Sequence, residues 1–154
     1  MKKQNGVSLI TLIVTIIVII ILASVAMASG VGSIEEANRT KIDMEIRGIK
    51  DAVSDRMIYY AQNSSNYPLV GKKVDDITIY LYCIDNITNE EISDFIENMS
   101  YENSDYYRVV DSIAAKSMGV ESISEEHQYV VDYYTGKVFG PVNMKKLEAE
   151  IGGE

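Results

Sequence analysis

Two consecutive stretches with different hydrophobic patterns occupy the N-terminal part of the chain. The first is an uncharged run of 22 residues, Val7 to Ala28, which reads VSLITLIVTIIVIIILASVAMA. As a helix rising ~1.5 Å per residue, such a run reaches ~33 Å, which is enough to cross a hydrocarbon core of ~30 Å. The run therefore predicts a membrane-spanning helix.

In the second stretch, apolar residues recur at steps of three and four, which places them on one face of an amphipathic helix. Gly30 and Gly32 lie between the two stretches, and each glycine costs a helix ~1 kcal/mol relative to alanine. We therefore predict one long helix from Val7 to about Gln62, bent or loosened near these glycines. The apolar stripe is Ile42, Ile46, Ile49, Val53, Met57 and Tyr60, and the opposite, solvated face carries Glu45, Arg47, Asp51, Asp55 and Arg56.

Three short elements are predicted after the turn formers Asn63–Asn66 end this helix. Ile77–Cys83 alternates in a way that favours a half-buried strand, with a short helix as the competing interpretation. Thr88–Glu91 has the form of a capping box, S/T-x-x-E, so a helix is expected after it. Tyr107–Met118 is predicted to be a further helix that ends at Gly119. The inward residues of the capped helix are Ile92, Phe95, Ile96 and Met99.

A β-hairpin is the clearest strand signal. Gln128–Tyr134 and Lys137–Pro141 are separated by Thr135-Gly136, which fits a two-residue hairpin loop. Met144–Ile151 follows as a last amphipathic turn or two. The predicted fold class is α+β: a long N-terminal helix packed on a small C-terminal antiparallel sheet with short helices. One face of the hairpin carries Tyr129, Val131 and Tyr133, and the other carries Val130, Asp132 and Tyr134.

The net charge of the chain indicates which classes of partner it can bind. The 154 residues include 14 basic and 23 acidic side chains, for a net charge of −9. Nucleic-acid binding rests on Lys and Arg side chains that neutralise phosphates, and anionic lipid headgroups attract the same side chains. We therefore predict no nucleic-acid contact, and we interpret the acidic charge as that of a solvated surface.

Residues that could carry catalysis or bind a metal are sparse. Cys83 is the only cysteine, which excludes an intramolecular disulfide, and we expect it to be a buried apolar residue. His127 is the only histidine and is expected in an exposed loop. No calcium-loop pattern is present, and Gly71-Lys72-Lys73 lacks the spacing of a phosphate-binding loop. We therefore expect no catalytic residues, no cofactor and no metal.

The N-terminal segment admits three interpretations. Lys2, Lys3 and Ala26-Met27-Ala28 fit a secretory signal peptide, but the apolar stretch exceeds the ~7–15 residues usual for one. An uncut signal anchor fits the same charges, because the positive-inside rule leaves Lys2 and Lys3 in the cytoplasm and the body outside. Neither interpretation accounts for Gly6, which stands directly before the run.

The third interpretation comes from a resemblance. The segment Lys3–Ile13, KQNGVSLITLI, resembles the start of a type IV prepilin or type II secretion pseudopilin. In that family a prepilin peptidase cuts after the glycine of a short basic leader and methylates the new N-terminus, while the apolar helix is retained. The resemblance implies a cut between Gly6 and Val7 and N-methylation of Val7. Ser8, Leu9 and Ile10 match the small-hydroxyl, Leu, Ile pattern that follows the cut.

Two positions depart from the family pattern. Val7 stands where Phe is usual, and Thr11 stands where a Glu usually meets the N-terminal amine of a neighbouring subunit. An ionised group inside a bilayer costs roughly 2.5–3.5 kcal/mol unless it finds a partner. The uncharged Thr11 lacks that docking interaction, and its hydroxyl is expected to bond back to the carbonyl of Val7. Some subunits at the fibre tip also lack this Glu, so the resemblance implies a minor or tip subunit.

Two later segments extend the resemblance. Tyr59–Pro68, YYAQNSSNYP, resembles the pseudopilin pattern in which a Tyr-bearing helix closes on an Asn/Gly loop before Tyr-Pro. The Tyr-Val-Val-Asp and Thr-Gly-Lys-Val pair resembles the closing sheet of pilin-like proteins from Gram-positive bacteria. The implied organisation is a leader (1–6), a transmembrane assembly helix (7–28), its amphipathic continuation (29–62) and an extracytoplasmic globular pilin-like domain (63–154).

By this resemblance the protein is a structural subunit of a type IV pilus or a type II secretion-like pseudopilus. It would be a single-pass protein of the cytoplasmic membrane, N-terminus inside and C-terminal domain outside, that reaches the cell surface in a filament. The implied partners are a prepilin peptidase, other pilin or pseudopilin subunits through the N-terminal helix, the inner-membrane assembly platform with its ATPase, and membrane lipid. The open alternative is a non-polymerising, single-pass anchored surface binding module.

Overall fold

The computed structural model describes residues 9–99 and 104–153. By its internal contacts the chain forms two compact units, Met1–Lys41 and Ile42–Glu154. The described residues of the first unit, 9–41, belong to one long helix, and the second unit contains the sheet and the short helices.

The helix that begins the described chain, α1 (Leu9–Gln62), has 54 residues. It stays helical through Gly30 and Gly32, so the predicted long helix is confirmed over residues 9–62, and the loosening predicted near these two glycines does not interrupt it. A local cost of ~1 kcal/mol per glycine is smaller than the loss of helical hydrogen bonding that a break in the middle would bring. The helix ends directly before Asn63, at the predicted turn formers.

Beyond α1 the elements are short. In chain order they are α2 (Ile77–Tyr82), α3 (Asn89–Asn98), a 3₁₀ turn (Ser104–Tyr106), β1 (Tyr107–Val110), α4 (Ser112–Ser117), β2 (Tyr129–Asp132), β3 (Lys137–Phe139) and α5 (Met144–Ile151).

The sheet is three-stranded and antiparallel, with β2 between β1 and β3. Val130 is opposite Val109 of β1 and also opposite Phe139 of β3. Every residue of β2 is buried, because apolar side chains cover both faces of the sheet. The α+β class and the antiparallel sheet are therefore confirmed.

Alternate residues of β2 enter two different cores, as the predicted faces of the hairpin require. Tyr129 and Val131 join Ile49 and Val53 of α1 in the helix-side core. Val130 joins side chains of α2, α3 and α5 in a second core. The predicted apolar stripe of α1 is thus the face that packs on the sheet.

The predicted strand over Ile77–Cys83 is wrong, and the competing helix is correct. Asp76 caps α2 by accepting a 2.9 Å hydrogen bond from the amide of Thr78. Ile77 and Leu81 lie one turn apart, and both are buried. The same residues fit a period of two and a period of 3.6, and packing against the sheet selects the helix.

The predicted single helix over Tyr107–Met118 is also wrong. Its first four residues form β1, and only Ser112–Ser117 is helical. Asp111 separates the two, because its side chain caps α4 by accepting a 2.8 Å bond from the amide of Ala114. Gly119 follows the C-cap with a φ of 88°, as predicted for a glycine that ends a helix.

The two remaining helix predictions agree with the structure. The capping box of α3 is complete, with Thr88 and Glu91 bonding each other's backbone amides. Ile92 and Phe95 are buried as expected, whereas Ile96 is 39% exposed and was wrongly placed inside. The predicted bounds of α5 match its observed bounds.

The hairpin is correct in place but not in its turn. Asp132 pairs with Lys137, so four residues, 133–136, connect β2 and β3 in place of the predicted two. The carboxylate of Asp132 accepts bonds from the amides of Tyr134 and Thr135, which stabilises the longer turn.

Candidate functional site

The residues that the resemblance assigns to processing lie at the start of the chain. Gly6, Val7 and Ser8 are outside the described residues. Leu9 and Ile10 begin α1 with exposed fractions of 73% and 72%, and Thr11 is exposed as well. The predicted bond from Thr11 to Val7 involves a residue that is not described.

The N-terminal part of α1 presents an apolar surface on all sides. Its large apolar side chains from Leu9 to Met27 are between 47% and 73% exposed. By length and composition this helix can cross a membrane. The hydroxyls of Thr15 and Ser24 donate to the carbonyls of Leu12 and Ile20, at 2.8 and 2.7 Å, so they are paired within the helix.

The first charged residues after this apolar part form a short polar segment on α1. Glu35 and Arg39 lie one helical turn apart and form an exposed ion pair of 3.2 Å. Thr40 donates to the carbonyl of Glu36 at 2.9 Å. Such exposed pairs contribute little free energy of folding, about 0.5 kcal/mol or less.

A second site lies in the other unit, around the carboxylate of Glu45. Its side chain is only 1% exposed, although the sequence predicted it on the solvated face of α1. Oε1 accepts bonds from the amide and the hydroxyl of Ser124, at 3.1 and 3.2 Å. Oε2 contacts Nδ1 of His127 at 2.7 Å and accepts from the hydroxyl of Tyr129 at 2.6 Å. A carboxylate has about four lone-pair positions, so its capacity is filled.

The hydrogen bonds around Glu45 also indicate which atoms of its partners carry hydrogens. An ionised carboxylate only accepts, so Nδ1 of His127 carries a hydrogen that it donates to Glu45. Burial alone raises the pKa of Glu45, but the bonds from Tyr129, His127 and Ser124 outweigh this and hold the pKa below its ordinary value of 4.5. Burial, followed by the bond to Glu45, raises the pKa of Tyr129.

The prediction that His127 lies in an exposed loop is wrong, because the same contacts hold its side chain against Glu45. Its side chain is 26% exposed and paired with Glu45, whereas an exposed loop position was predicted. Glu45 lies between His127 and Ser124. Its carboxylate accepts the hydroxyl hydrogen of Ser124, which histidine would accept from a nucleophilic serine. The arrangement therefore stabilises the packing of β2 and its preceding segment on α1.

The prediction that Cys83 is a buried residue is confirmed. Cys83 is 2% exposed, and burial is the main cause that raises the pKa of its thiol, as befits an unreactive buried residue. In residues 9–99 and 104–153, no group of three or more His, Cys, Asp or Glu side chains is arranged to hold a metal ion.

Comparison with protein-family models, with curated proteins and with solved structures finds no match to this chain.

Proposed function

We propose that the protein is a minor or tip subunit of a type IV pilus or a type II secretion-like pseudopilus. A prepilin peptidase would cut between Gly6 and Val7, and residues 7–28 would hold the processed protein in the membrane. The observation that carries the proposal is the apolar, exposed start of α1, directly after a leader with Lys2, Lys3 and Gly6. The continuation of the same helix onto a small antiparallel sheet supports it.

In the proposed filament, neighbouring subunits would bury the apolar side chains of α1 that the isolated chain exposes. Lipid contacts of the apolar helix would be replaced by close packing against other subunits, for which small and hydroxyl side chains allow near approach. The assembly platform and its ATPase would drive this transfer from the membrane. Small or hydroxyl residues on this part of the helix are Ser8, Thr11, Thr15, Ala23 and Ser24.

The N-terminal residue of the protein recovered from cells tests the processing step. We expect methylated Val7, detected by mass spectrometry of the N-terminal peptide. Ser29 at the N-terminus would show a signal peptide and contradict the proposal, and intact Met1 would favour an uncut anchor. Gly6→Val should abolish the cut, while Gly30→Val, the same replacement within α1, should be processed normally.

A second candidate is the anchored surface module that never polymerises. Thr11 favours it, because the charge that usually docks a subunit during assembly is missing. Filaments sheared from cells distinguish the two: a pilus subunit is present in the sheared fraction, and an anchored module stays with the membrane. If the missing carboxylate limits assembly, Thr11→Glu should raise the amount in sheared fibres. Thr15→Glu, one turn further along, should not.

A further inference from the structure

The segment before β2 lies against α1 without a helix or strand of its own. We call this segment, residues 120–128, the strap. A Cβ placed on Gly48 of α1 would lie 3.1 Å from Cγ1 of Val120, which shows how closely the strap approaches the helix. Ile123 is 6% exposed and belongs to the helix-side core together with Ile49. The strap thus covers part of the apolar face of α1.

Polar contacts between the strap and α1 converge on one group. In the described part of the chain, every hydrogen bond that joins the strap to α1 ends on the carboxylate of Glu45. The donors are the amide and hydroxyl of Ser124 and the Nδ1 hydrogen of His127. The other backbone bonds of the strap are local or lie at its ends, such as the 3.1 Å bond from the amide of His127 to the carbonyl of Ser124.

We propose that the strap is an acid-sensitive closure, held on α1 by ionised Glu45 and released when that carboxylate is protonated. A proton on Oε2 would face the hydroxyl hydrogen of Tyr129 and the Nδ1 hydrogen of His127. The protonated carboxyl keeps about three acceptor positions for its four donors, and it no longer carries the charge that strengthens these bonds, so the attachment of the strap to α1 weakens. A buried donor left without an acceptor is unfavourable, and exposure to water relieves it. Opening would uncover Ile123 and Ile49.

The surroundings of Glu45 set the direction of the pH dependence. The titratable side chains that contact it are His127 from the strap and Tyr129 from β2. The remaining charged residues of the strap and the nearest ones of α1 are exposed. Because the pKa of Glu45 in the folded protein lies below 4.5, closure is complete above that pH and is lost as the pH falls through the folded pKa. The exposed charged residues are Glu121, Glu125, Glu126, Asp43 and Arg47.

Amide hydrogen exchange of the full chain in detergent micelles tests this closure. Exchange is compared at about pH 7 and about pH 3, with each amide corrected for its intrinsic rate. We expect protection of residues 121–127, and of the Ser124 amide above all, to fall about tenfold or more at the lower pH. Protection of β1, Tyr107–Val110, should change less than about twofold, because the sheet stays folded.

Two variants and one control make the test specific to Glu45. Glu45→Gln cannot ionise, so its strap should exchange at one fast rate at both pH values. Tyr129→Phe keeps the ring and removes one donor, which should move the opening to higher pH and keeps the test valid if Glu45→Gln does not fold. Glu91→Gln removes a carboxylate that caps α3 far along the chain and should leave the strap's pH dependence unchanged.

Three results would each overturn the proposal. The strap could stay equally protected at both pH values, or it could lose protection in step with β1, which would indicate global unfolding. The third is an unchanged pH dependence in Glu45→Gln.

Discussion

The hydroxyl of Tyr129 donates a 2.6 Å hydrogen bond to Oε2 of Glu45, although 84 residues separate them in sequence. Both side chains are almost fully buried, at 0% and 1% exposure. A bond between a phenol and an ionised carboxylate in such surroundings is stronger than a bond between neutral groups, and water does not compete for it. This contact therefore ties the middle strand of the sheet to α1.

Replacing Tyr129 by Phe removes that bond and keeps the ring. We expect the free energy of unfolding to fall by about 1.5–3 kcal/mol, the usual range for a bond to a charged group. Urea denaturation of the full chain in detergent measures it. Tyr134→Phe is the control, because Tyr134 is 63% exposed and its loss should be within about 0.5 kcal/mol. Equal losses in the two variants would contradict the prediction.

The apolar stripe of α1 makes a separate prediction about the helix-side core. Ile49 is 0% exposed there, whereas Met44, on the same helix, is 66% exposed. Ile49→Ala removes buried methyl groups and leaves a cavity, so we expect a loss of about 2–5 kcal/mol. Met44→Ala should change stability by less than about 0.5 kcal/mol. The same urea titration measures both, and a loss at Met44 as large as that at Ile49 would contradict the prediction.

Elements with strong local signals were predictable from the sequence. The capping box at Thr88–Glu91 determines where α3 begins, and the run of turn formers after Gln62 ends α1. Each signal consists of side chains that bond the backbone within four residues, so no distant partner is needed. The place of the hairpin was predictable for the same reason.

Elements selected by distant partners were not predictable. Tyr107–Val110 becomes a strand because it pairs with Tyr129–Asp132, about twenty residues further along, and local propensity does not contain that pairing. Ile77–Tyr82 is ambiguous by period and is settled by packing. In both cases a tertiary contact overrides a pattern that allows helix and strand alike.

The site around Glu45 was missed, although one signal for it was present. Glu45 follows Ile42 by three residues and precedes Ile49 by four, so it is in phase with the apolar stripe. A carboxylate on a buried face requires polar partners, and these come from Ser124 and His127. The position of Glu45 in the helical repeat could have predicted that its side chain is buried. No local sequence signal identifies Ser124 and His127 as its partners.

The burial of Tyr107 predicts that its hydroxyl loses its proton at a higher pH than an exposed tyrosine does. Burial, with a smaller contribution from the charge of Asp132, raises its pKa from 10.0 to about 12. Because the fold favours the neutral phenol, its contribution to stability is present below pH 10 and is lost as the pH rises through the folded pKa. The tyrosinate absorbance of the wild type minus that of Tyr107→Phe should show a step near pH 12. In denaturant the step should move to about 10, and a step near 10 in the folded protein would contradict the assignment.

The N-terminal cap of α3 predicts a modest loss of stability when the hydroxyl of Thr88 is removed. Thr88→Ala removes the side chain that accepts from the amide of Glu91 at 3.1 Å, so we expect a loss of about 1 kcal/mol in unfolding free energy. Thr88→Ser keeps the hydroxyl and should lose much less. Chemical denaturation compares the two, and equal losses would show that the methyl group, not the cap, matters.

Two glycines in left-handed conformations should respond differently to the same substitution. Gly71 has a φ of 109°, and a Cβ added there would lie 2.9 Å from both Cβ of Arg108 and the carbonyl oxygen of Val109. Gly119 has a φ of 88° and faces open space. Alanine at either position costs roughly 1–2 kcal/mol for the backbone conformation, and at Gly71 the clash with β1 should add about 1–3 kcal/mol.

The clash at Gly71 also has a structural signature. Residue 72 and Val109 exchange backbone hydrogen bonds of 2.8 and 2.9 Å, so a Cβ that pushes the two segments apart should expose both amides. We expect faster hydrogen exchange at Lys72 and Val109 in Gly71→Ala, and unchanged exchange there in Gly119→Ala. If the two variants lose equal stability and both amides stay protected, the close approach of Gly71 to β1 does not constrain this position.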